Sequence, residues 1–255
     1  MPGPGPGPAG PTTTGRLVGV RRSAQPRAMT TTLITGANRG LGRDTARQLL
    51  EAGHTVWLGA RDEASGRAAA ADLGARFVHL DVTDDDSVAA ALDQVGVAGG
   101  LDVLVNNAGI ARYGMRSADA LAVLDTNVVG IVRVTEAALP LLRRSAHPVV
   151  VNVSSALGSF TANHDTVRPA SHFVSGLYGV SKAAVSMLTV QYARAVPEVT
   201  FVAVEPGYSQ TGLGDVDHSG GQPVEDGAAV IARWAQAGPG IPTGTFQEAG
   251  GVLGW

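Results

Sequence analysis

From residue 30 onward, short apolar runs rich in β-branched side chains alternate with longer stretches in which apolar positions return every three or four residues. The runs TTTLIT (30–35), TVWLGA (55–60), ARFVHL (75–80), LDVLVN (101–106), PVVVNVS (148–154), VTFVAVE (199–205) and GTFQ (244–247) read as strands. Several are apolar almost throughout, as parallel strands covered on both faces are. The segments 41–52, 62–73, 84–95, 118–145, 177–195 and 224–237 read as helices. This alternation specifies an α/β fold, a doubly wound parallel sheet of about seven strands with right-handed crossovers and helices on both faces. In such a sheet, ligands sit beyond the carboxyl ends of the strands, near the point where strand order reverses. Functional residues are therefore expected just after strands.

Composition narrows the picture. The 255 residues, 44% apolar and 16% charged, suffice for one substantial core, so 29–255 is expected to form a single domain. A net charge of −3 and the lack of a Lys/Arg-rich block argue against nucleic acid as a partner. There is no cysteine, and the six histidines (His54, His79, His147, His164, His172 and His218) form no HxH or HxxxH pair, so no metal site is expected. No apolar run is long enough to cross a bilayer, so a cytoplasmic protein with no membrane partner is expected. Residues 1–28 are dense in Pro and Gly, carry four Arg and no acid, and read as a disordered tail. Met29 directly precedes the first strand, so the native chain is expected to start there.

The segment TGANRGLG (35–42) follows the first strand. Gly36, Gly40 and Gly42 would let the backbone turn tightly and approach a pyrophosphate at the amino end of the helix that begins at Leu41. An ordinary strand-to-helix turn also uses such glycines, and the spacing is G-x-x-x-G-x-G rather than G-x-G-x-x-G. The second strand ends in WLGARD, which places Ala60 where NAD-preferring proteins of this architecture carry an acid for the ribose hydroxyls. Arg61 follows it, and Arg39 lies inside the glycine turn. Two guanidinium forks suit the 2′-phosphate of NADP(H), and the pair favours that cofactor. Asp62 reads as an N-cap.

YGVSK (178–182) puts Tyr178 and Lys182 on one helix face. A neighbouring ammonium lowers a phenol's pKa toward the range that proton transfer needs. An isolated pair of this kind is more often a half-buried tyrosine and a surface lysine, but this one has company. VNVSS ends the fifth strand, where Ser154 or Ser155 could face a substrate carbonyl, although serines there also serve as turn and cap residues. NNAG (106–109) follows the fourth strand with small residues that let a cofactor approach the backbone. Asn127 sits in an otherwise apolar stretch and must find partners if buried. EPGYSQT, after the sixth strand, sets a Pro-Gly turn before Thr211.

TGxxxGxG (35–42), LDV (80–82), NNAG (106–109), Asn127, VNVSS (151–155), YxxxK (178–182) and PGxxxT (206–211), in this order, resemble the classical short-chain dehydrogenase/reductase family, with its Rossmann-type fold, over Met29 to Trp255. The resemblance implies an NADP(H) site built from Gly36, Asn38, Arg39, Gly40, Leu41 and Gly42 with Arg61. Asp81 and Val82 would contact the adenine, and Asn107, Ala108 and Gly109 would line the adenosine and ribose site. Pro206, Gly207 and Thr211 would clamp the nicotinamide side. It also implies that Ser155 orients a carbonyl and that Tyr178 is the general acid/base. Lys182 would bind the nicotinamide ribose and lower the Tyr178 pKa, while Asn127 would hold a water in a proton relay through Lys182. The implied reaction is NADPH-dependent reduction of a small-molecule ketone or aldehyde to an alcohol, or the reverse.

The segment between Ser155 and Tyr178 is longer than in compact members and resembles the insertion of carbonyl-reductase-like ones, as do GAR (59–61) and the Trp255 ending. Long loops in this position form lids or pocket walls. Phe160, Phe173, Tyr208 and Leu213 are candidates for an apolar substrate wall. The family pairs through helices equivalent to 118–145 and 177–195 into homodimers or homotetramers, while carbonyl-reductase-like members also occur as monomers, and the choice stays open. Two other functions compete: a non-catalytic NADP(H)-binding regulator, and non-redox elimination or cyclisation by Tyr178 and Lys182. Retention of Asn127, Ser155, Tyr178 and Lys182 weighs against the regulator, since a sensor needs only the glycine turn and Arg61.

Overall fold

Successive side chains of a strand leave opposite faces of a sheet, and here both faces are buried. The computed structural model describes residues 1–3, 5, 29–214, 218–238, 240 and 242–255; apart from 1–3 and 5, the expected tail before Met29 lies outside them. In chain order the elements are β1 (Thr31–Thr35), α1 (Gly40–Glu51), β2 (Thr55–Ala60), α2 (Glu63–Leu73), β3 (Arg76–His79), α3 (Asp85–Val97), β4 (Val103–Asn106) and α4 (Ser117–Leu124). A π-helical turn (Asp125–Val129) leads into α5 (Gly130–Leu142), β5 (Val149–Val153), α6 (Phe160–His164), α7 (Gly176–Ala195), β6 (Thr200–Val204), α8 (Val224–Ala235), β7 (Thr245–Glu248) and β8 (Gly251–Val252). The sheet order is β3-β2-β1-β4-β5-β6-β7-β8. All neighbours are parallel except β8, which runs antiparallel to β7.

Ile34, Val105, Val151 and Val204 pack with Ala46 and Leu49 of α1, Ala69 of α2 and Ile231 of α8. Their strand neighbours Leu33, Leu104, Val150 and Phe201 pack on the other face with Leu92 of α3 and Val134 and Leu142 of α5. Each buried Leu, Ile, Val or Phe of this kind contributes roughly 1.5–3 kcal/mol. The sheet has one strand more than the apolar runs predict, because β8 is a two-residue edge pairing too short to show periodicity. The helix expected over 118–145 is interrupted: the π turn at Asp125–Val129 separates α4 from α5 and buries Asn127.

Polar side chains also cross the core. Asn106 Nδ2 donates to Asn152 Oδ1 at 2.8 Å and to Thr135 Oγ1 at 3.2 Å, and Asn152 Nδ2 donates to Thr189 Oγ1 at 2.9 Å. Asn106 and Asn152 are register partners on β4 and β5, and the chain of bonds ties both strands to α5 and α7. Asn152→Ala removes an acceptor from the buried Asn106 amide. It is expected to lower unfolding free energy by about 1–3 kcal/mol. Urea denaturation checks this, and an unchanged midpoint would contradict it.

Candidate active site

A cleft of about 1050 Å³ opens beyond the carboxyl ends of the parallel strands, spanning the β1/β4 junction where strand order reverses. Gly36 and Gly40 adopt φ of +63° and +55°, left-handed values that favour glycine. At Gly42 the reason is space: a Cβ there would lie 2.4 Å from Asn107 Nδ2 and 2.8 Å from Gly36 O. Asn107 Nδ2 donates to Thr35 O at 2.9 Å and to Gly36 O at 3.1 Å, so its side chain braces the turn. Thr35, the first residue of TGxxxGxG, has no role of its own in the motif reading; its Oγ1 accepts from the backbone N–H groups of both Asn107 and Ala108 at 3.0 Å. The Asp62 and Asp84 side chains cap α2 and α3, whereas Arg39, at the N-cap of α1, makes no side-chain cap bond. Gly40, Leu41 and Gly42, whose N–H groups a helix leaves without intrahelical partners, line the cleft. A phosphate would satisfy them.

Arg39 and Arg61 both line the cleft and are exposed, and neither forms a salt bridge among the described residues. Nearby arginines are committed, Arg43 to Asp72 and Arg47 to Asp44 and Glu51. Asn38 Nδ2 donates to Ser65 Oγ at 3.0 Å. Asp81 Oδ1 accepts from the Thr83 backbone N–H at 2.9 Å and from its hydroxyl at 2.7 Å. Burial pushes the Asp81 pKa up, but these bonds, with the Arg61 and His79 charges, hold it below the usual value. Val82, Ala108, Gly109, Pro206, Gly207 and Thr211 line the same cleft.

At the inner end stand Ser155, Tyr178 and Lys182. The two serines divide their work. Ser154 Oγ bonds Lys182 O at 3.1 Å and Ser186 Oγ at 3.0 Å inside the core, whereas Ser155 lines the cleft together with Tyr178. Tyr178 is 8% exposed and Lys182 5%. Lys182 Nζ donates to Val153 O at 2.7 Å and lies 5.6 Å from the centre of the Tyr178 ring. The expected lowering of the Tyr178 pKa is not found. Burial raises it, the charges of Glu205 and Tyr113 raise it further, and the Ser155 hydroxyl offsets only part. Burial also pulls the Lys182 pKa down, to about 8, against the opposing effect of Glu205. Asn127 does not line the cleft; Thr126 does. Its amide is spent locally, Oδ1 accepting from Ile110 N at 2.8 Å and Nδ2 donating to Ile110 O and Ser181 Oγ, each at 2.9 Å.

Of the four residues expected in an apolar wall, Phe173, Tyr208 and Leu213 line the cleft, but Phe160, on the outer side of α6, is 71% exposed and does not. Tyr113 replaces it, its ring 5.2 Å from Phe173 and 5.8 Å from Tyr178, both edge-on. The insertion is tied down at its far end: Arg168 forks onto both oxygens of Glu248 at 2.9 and 2.8 Å, and Ser159 Oγ donates to Gly254 O at 2.6 Å. Trp255 stacks on Phe246 at 5.5 Å beneath it. Among the described residues, no cluster of His, Asp and Glu could hold a metal, and no helix is long and apolar enough to cross a membrane.

A family model described as short chain dehydrogenase matches residues 30–219. Short-chain dehydrogenase anuI of Penicillium roqueforti is 34% identical over 227 residues, covering 81% of this chain and 88% of its own. Cis-4-hydroxycyclohexanecarboxylate dehydrogenase of Sinomonas cyclohexanicum is 36% identical over 215 residues, covering 79% and 80%. Among solved structures, NADPH-bound carbonyl reductase from chicken fatty liver aligns with a TM-score of 0.77 at 27% identity, covering 89% of this chain and 99% of that one.

Proposed function

The chain belongs to the short-chain dehydrogenase family of nicotinamide-dependent oxidoreductases, and on that premise we propose that it reduces a ketone or aldehyde to an alcohol with NADPH. The observation that carries the reading is a buried Tyr178 that shares with Ser155 a cleft also lined by Arg39 and Arg61, neither of which forms a salt bridge among the described residues.

The residues fit the cofactor by chemistry: the uncapped amino end of α1 suits a pyrophosphate, and Arg39 and Arg61 suit a 2′-phosphate. When bound, NADPH supplies a hydride to the carbonyl carbon. Asp81 and Val82 would hold the adenine end beside Asn107, Ala108 and Gly109, and Lys182, Pro206, Gly207 and Thr211 would hold the nicotinamide end. Ser155 and Tyr178 hydrogen-bond the substrate oxygen, and Tyr178 gives up its proton as negative charge builds there. A raised pKa keeps Tyr178 protonated at neutral pH, which suits a donor and hence the reductive direction. Because both Asn127 Nδ2 protons are taken, Oδ1 already accepts from Ile110 and the side chain does not line the cleft, any part of Asn127 in a proton relay is assigned to its backbone at the π turn. Tyr113, Phe173, Tyr208 and Leu213 favour a neutral substrate with an apolar body.

Absorbance loss of NADPH, and separately NADH, across a panel of ketones and aldehydes tests the reading. NADPH consumption is expected. NADPH binding with no carbonyl able to oxidise it would instead favour a regulator or non-redox chemistry. A pH series gives a second expected outcome. Lys182 is charged below about 8 and neutral above it, so its support for ribose hydroxyls and for developing phenolate charge is present at low pH and lost as pH rises. The kcat/KM for reduction should fall through about pH 8, and a profile level up to pH ~10, the ordinary lysine range, would contradict this.

A further inference from the structure

Strand register sets the layout of the cleft beyond Ser155. Val153 on β5 pairs with Val204 on β6, and Val204 pairs with Gln247 on β7. Glu205 and Glu248 therefore each stand one residue past this row, and Ser155 stands two past it. β5 and β7 are two strand spacings apart, roughly 10 Å, so Glu248 lies on the β7 side of a carbonyl held at Ser155. Both carboxylates line the cleft, and both are already spent. Glu205 Oε1 accepts from the Gly207 N–H at 2.7 Å and its Oε2 from the Ala156 N–H. Glu248 receives Nη1 and Nη2 of Arg168, which reaches over from the insertion and also lines the cleft, at 2.9 and 2.8 Å.

This fork is braced on both sides. Asp165 Oδ2 lies 3.7 Å from Arg168 Nε, and Arg168 O accepts from the Ser171 N–H at 3.1 Å and the Ser171 hydroxyl at 2.8 Å. Ala170, two residues on, packs with Ala162 against Ala203, Phe246 and Leu253, which fixes the insertion to β6 and β7. The Arg168 bond holds the Glu248 carboxyl below the usual carboxylate range despite burial, so both partners are charged at neutral pH and cancel. A bidentate pair is directional as well as strong, and a long substituent pushed into this end of the cleft would have to part it. A carboxylate arriving there would meet two acids, Glu205 and Glu248, against one arginine that is already neutralised. The rest of the substrate wall is different: Tyr113, Phe173 and Leu213 offer an apolar surface with no charge to displace.

We propose that the Arg168–Glu248 fork is a specificity determinant that ends the substrate site on the β7 side and limits the carbonyl substituent there to a short group that is not an anion. This rests on the reductase reading above. The substrate class is then an aldehyde, or a ketone with one short arm toward the fork and a larger apolar body against Tyr113, Phe173 and Leu213.

Three ketones with a common phenyl group test this with NADPH: phenyl methyl ketone, phenyl butyl ketone and 4-oxo-4-phenylbutanoate, which matches the butyl ketone in length and carries a carboxylate. In the wild type, kcat/KM is expected to fall about tenfold or more from the methyl to the butyl ketone, since even one methylene in a closed pocket is worth about tenfold or more, and to fall further for the carboxylate. Arg168→Ala/Glu248→Ala removes the end wall, so the butyl ketone should gain about tenfold while the methyl ketone stays within about threefold. Glu248→Gln keeps the volume but leaves the Arg168 charge less compensated. The carboxylate should then gain about fivefold, a modest effect because the guanidinium is partly exposed, and the butyl ketone should stay within about twofold. A merely structural role would move all three ketones together. An unchanged butyl-to-methyl ratio in the double variant, an unchanged carboxylate-to-butyl ratio in Glu248→Gln, or a wild type that reduces the methyl and butyl ketones alike overturns the proposal. If the double variant does not fold, as judged by melting and NADPH affinity, the near-isosteric Glu248→Gln decides alone by its own ratio. A wild type that oxidises no NADPH with any carbonyl is a different result, one that removes the reductase reading and this proposal with it.

Discussion

Tyr178→Phe is expected to lower kcat for carbonyl reduction by about 10²–10⁴-fold, the range for loss of a positioned general acid, while NADPH affinity stays within about threefold of wild type. The substitution removes one oxygen and keeps the ring, so the edge-on contact with Tyr113 at 5.8 Å survives. Ser155 Oγ keeps the Leu157 N–H as a partner, so no buried polar group is stranded. Stability should therefore change little, and a loss of rate would report on the proton rather than on the fold. Single-turnover kinetics with saturating NADPH is the clean measurement, because it separates binding from chemistry. A variant that still turns over at more than about a tenth of the wild-type rate would mean that another group supplies the proton, and Tyr178 would lose its role.

The strands were legible because β1, β4, β5 and β6 are buried on both faces, and such strands appear in a sequence as unbroken apolar runs. The glycine turn was legible for a related reason. Positive φ at Gly36 and Gly40 and the missing Cβ at Gly42 are requirements that other residues meet poorly. What escaped depends on long-range contacts that no local period encodes. The two residues of β8 pair only because β7 is beside them. The π turn leaves the apolar repeat of 118–145 nearly intact while shifting its register around Asn127. Tyr113 and Phe160 are both single aromatics in loop-like sequence, and only the docking of the insertion places one in the cleft and the other in solvent. Glu205 did leave a trace. A carboxylate closing the apolar run VTFVAVE at the ligand end of a strand is out of keeping with a buried position, and a charge in such a place signals a partner.

Cofactor choice has a comparable lever at the other end of the cleft. The Arg39→Ala/Arg61→Ala double variant is expected to lose NADPH-dependent kcat/KM while NADH-dependent kcat/KM stays within about threefold of wild type. A charged hydrogen bond contributes about 1.5–3 kcal/mol. Both arginines are exposed, so solvent screening puts each at the low end, about tenfold apiece and roughly 10²-fold together. The contrast between cofactors is what matters, because NADH lacks the 2′-phosphate but shares every other group. Arg43 and Arg47 are near in sequence but already paired with Asp72, Asp44 and Glu51, so they are not expected to substitute for the missing charges. Ala60 offers no acid to repel a phosphate or to capture ribose hydroxyls, so removing the arginines should level the preference rather than reverse it to NADH. Raising salt should shrink the wild-type preference in the same direction, since exposed pairs are screened over about 8 Å at physiological ionic strength. If both cofactors lose equally, the arginines hold a group common to the two, and NADPH selectivity must come from elsewhere in the cleft.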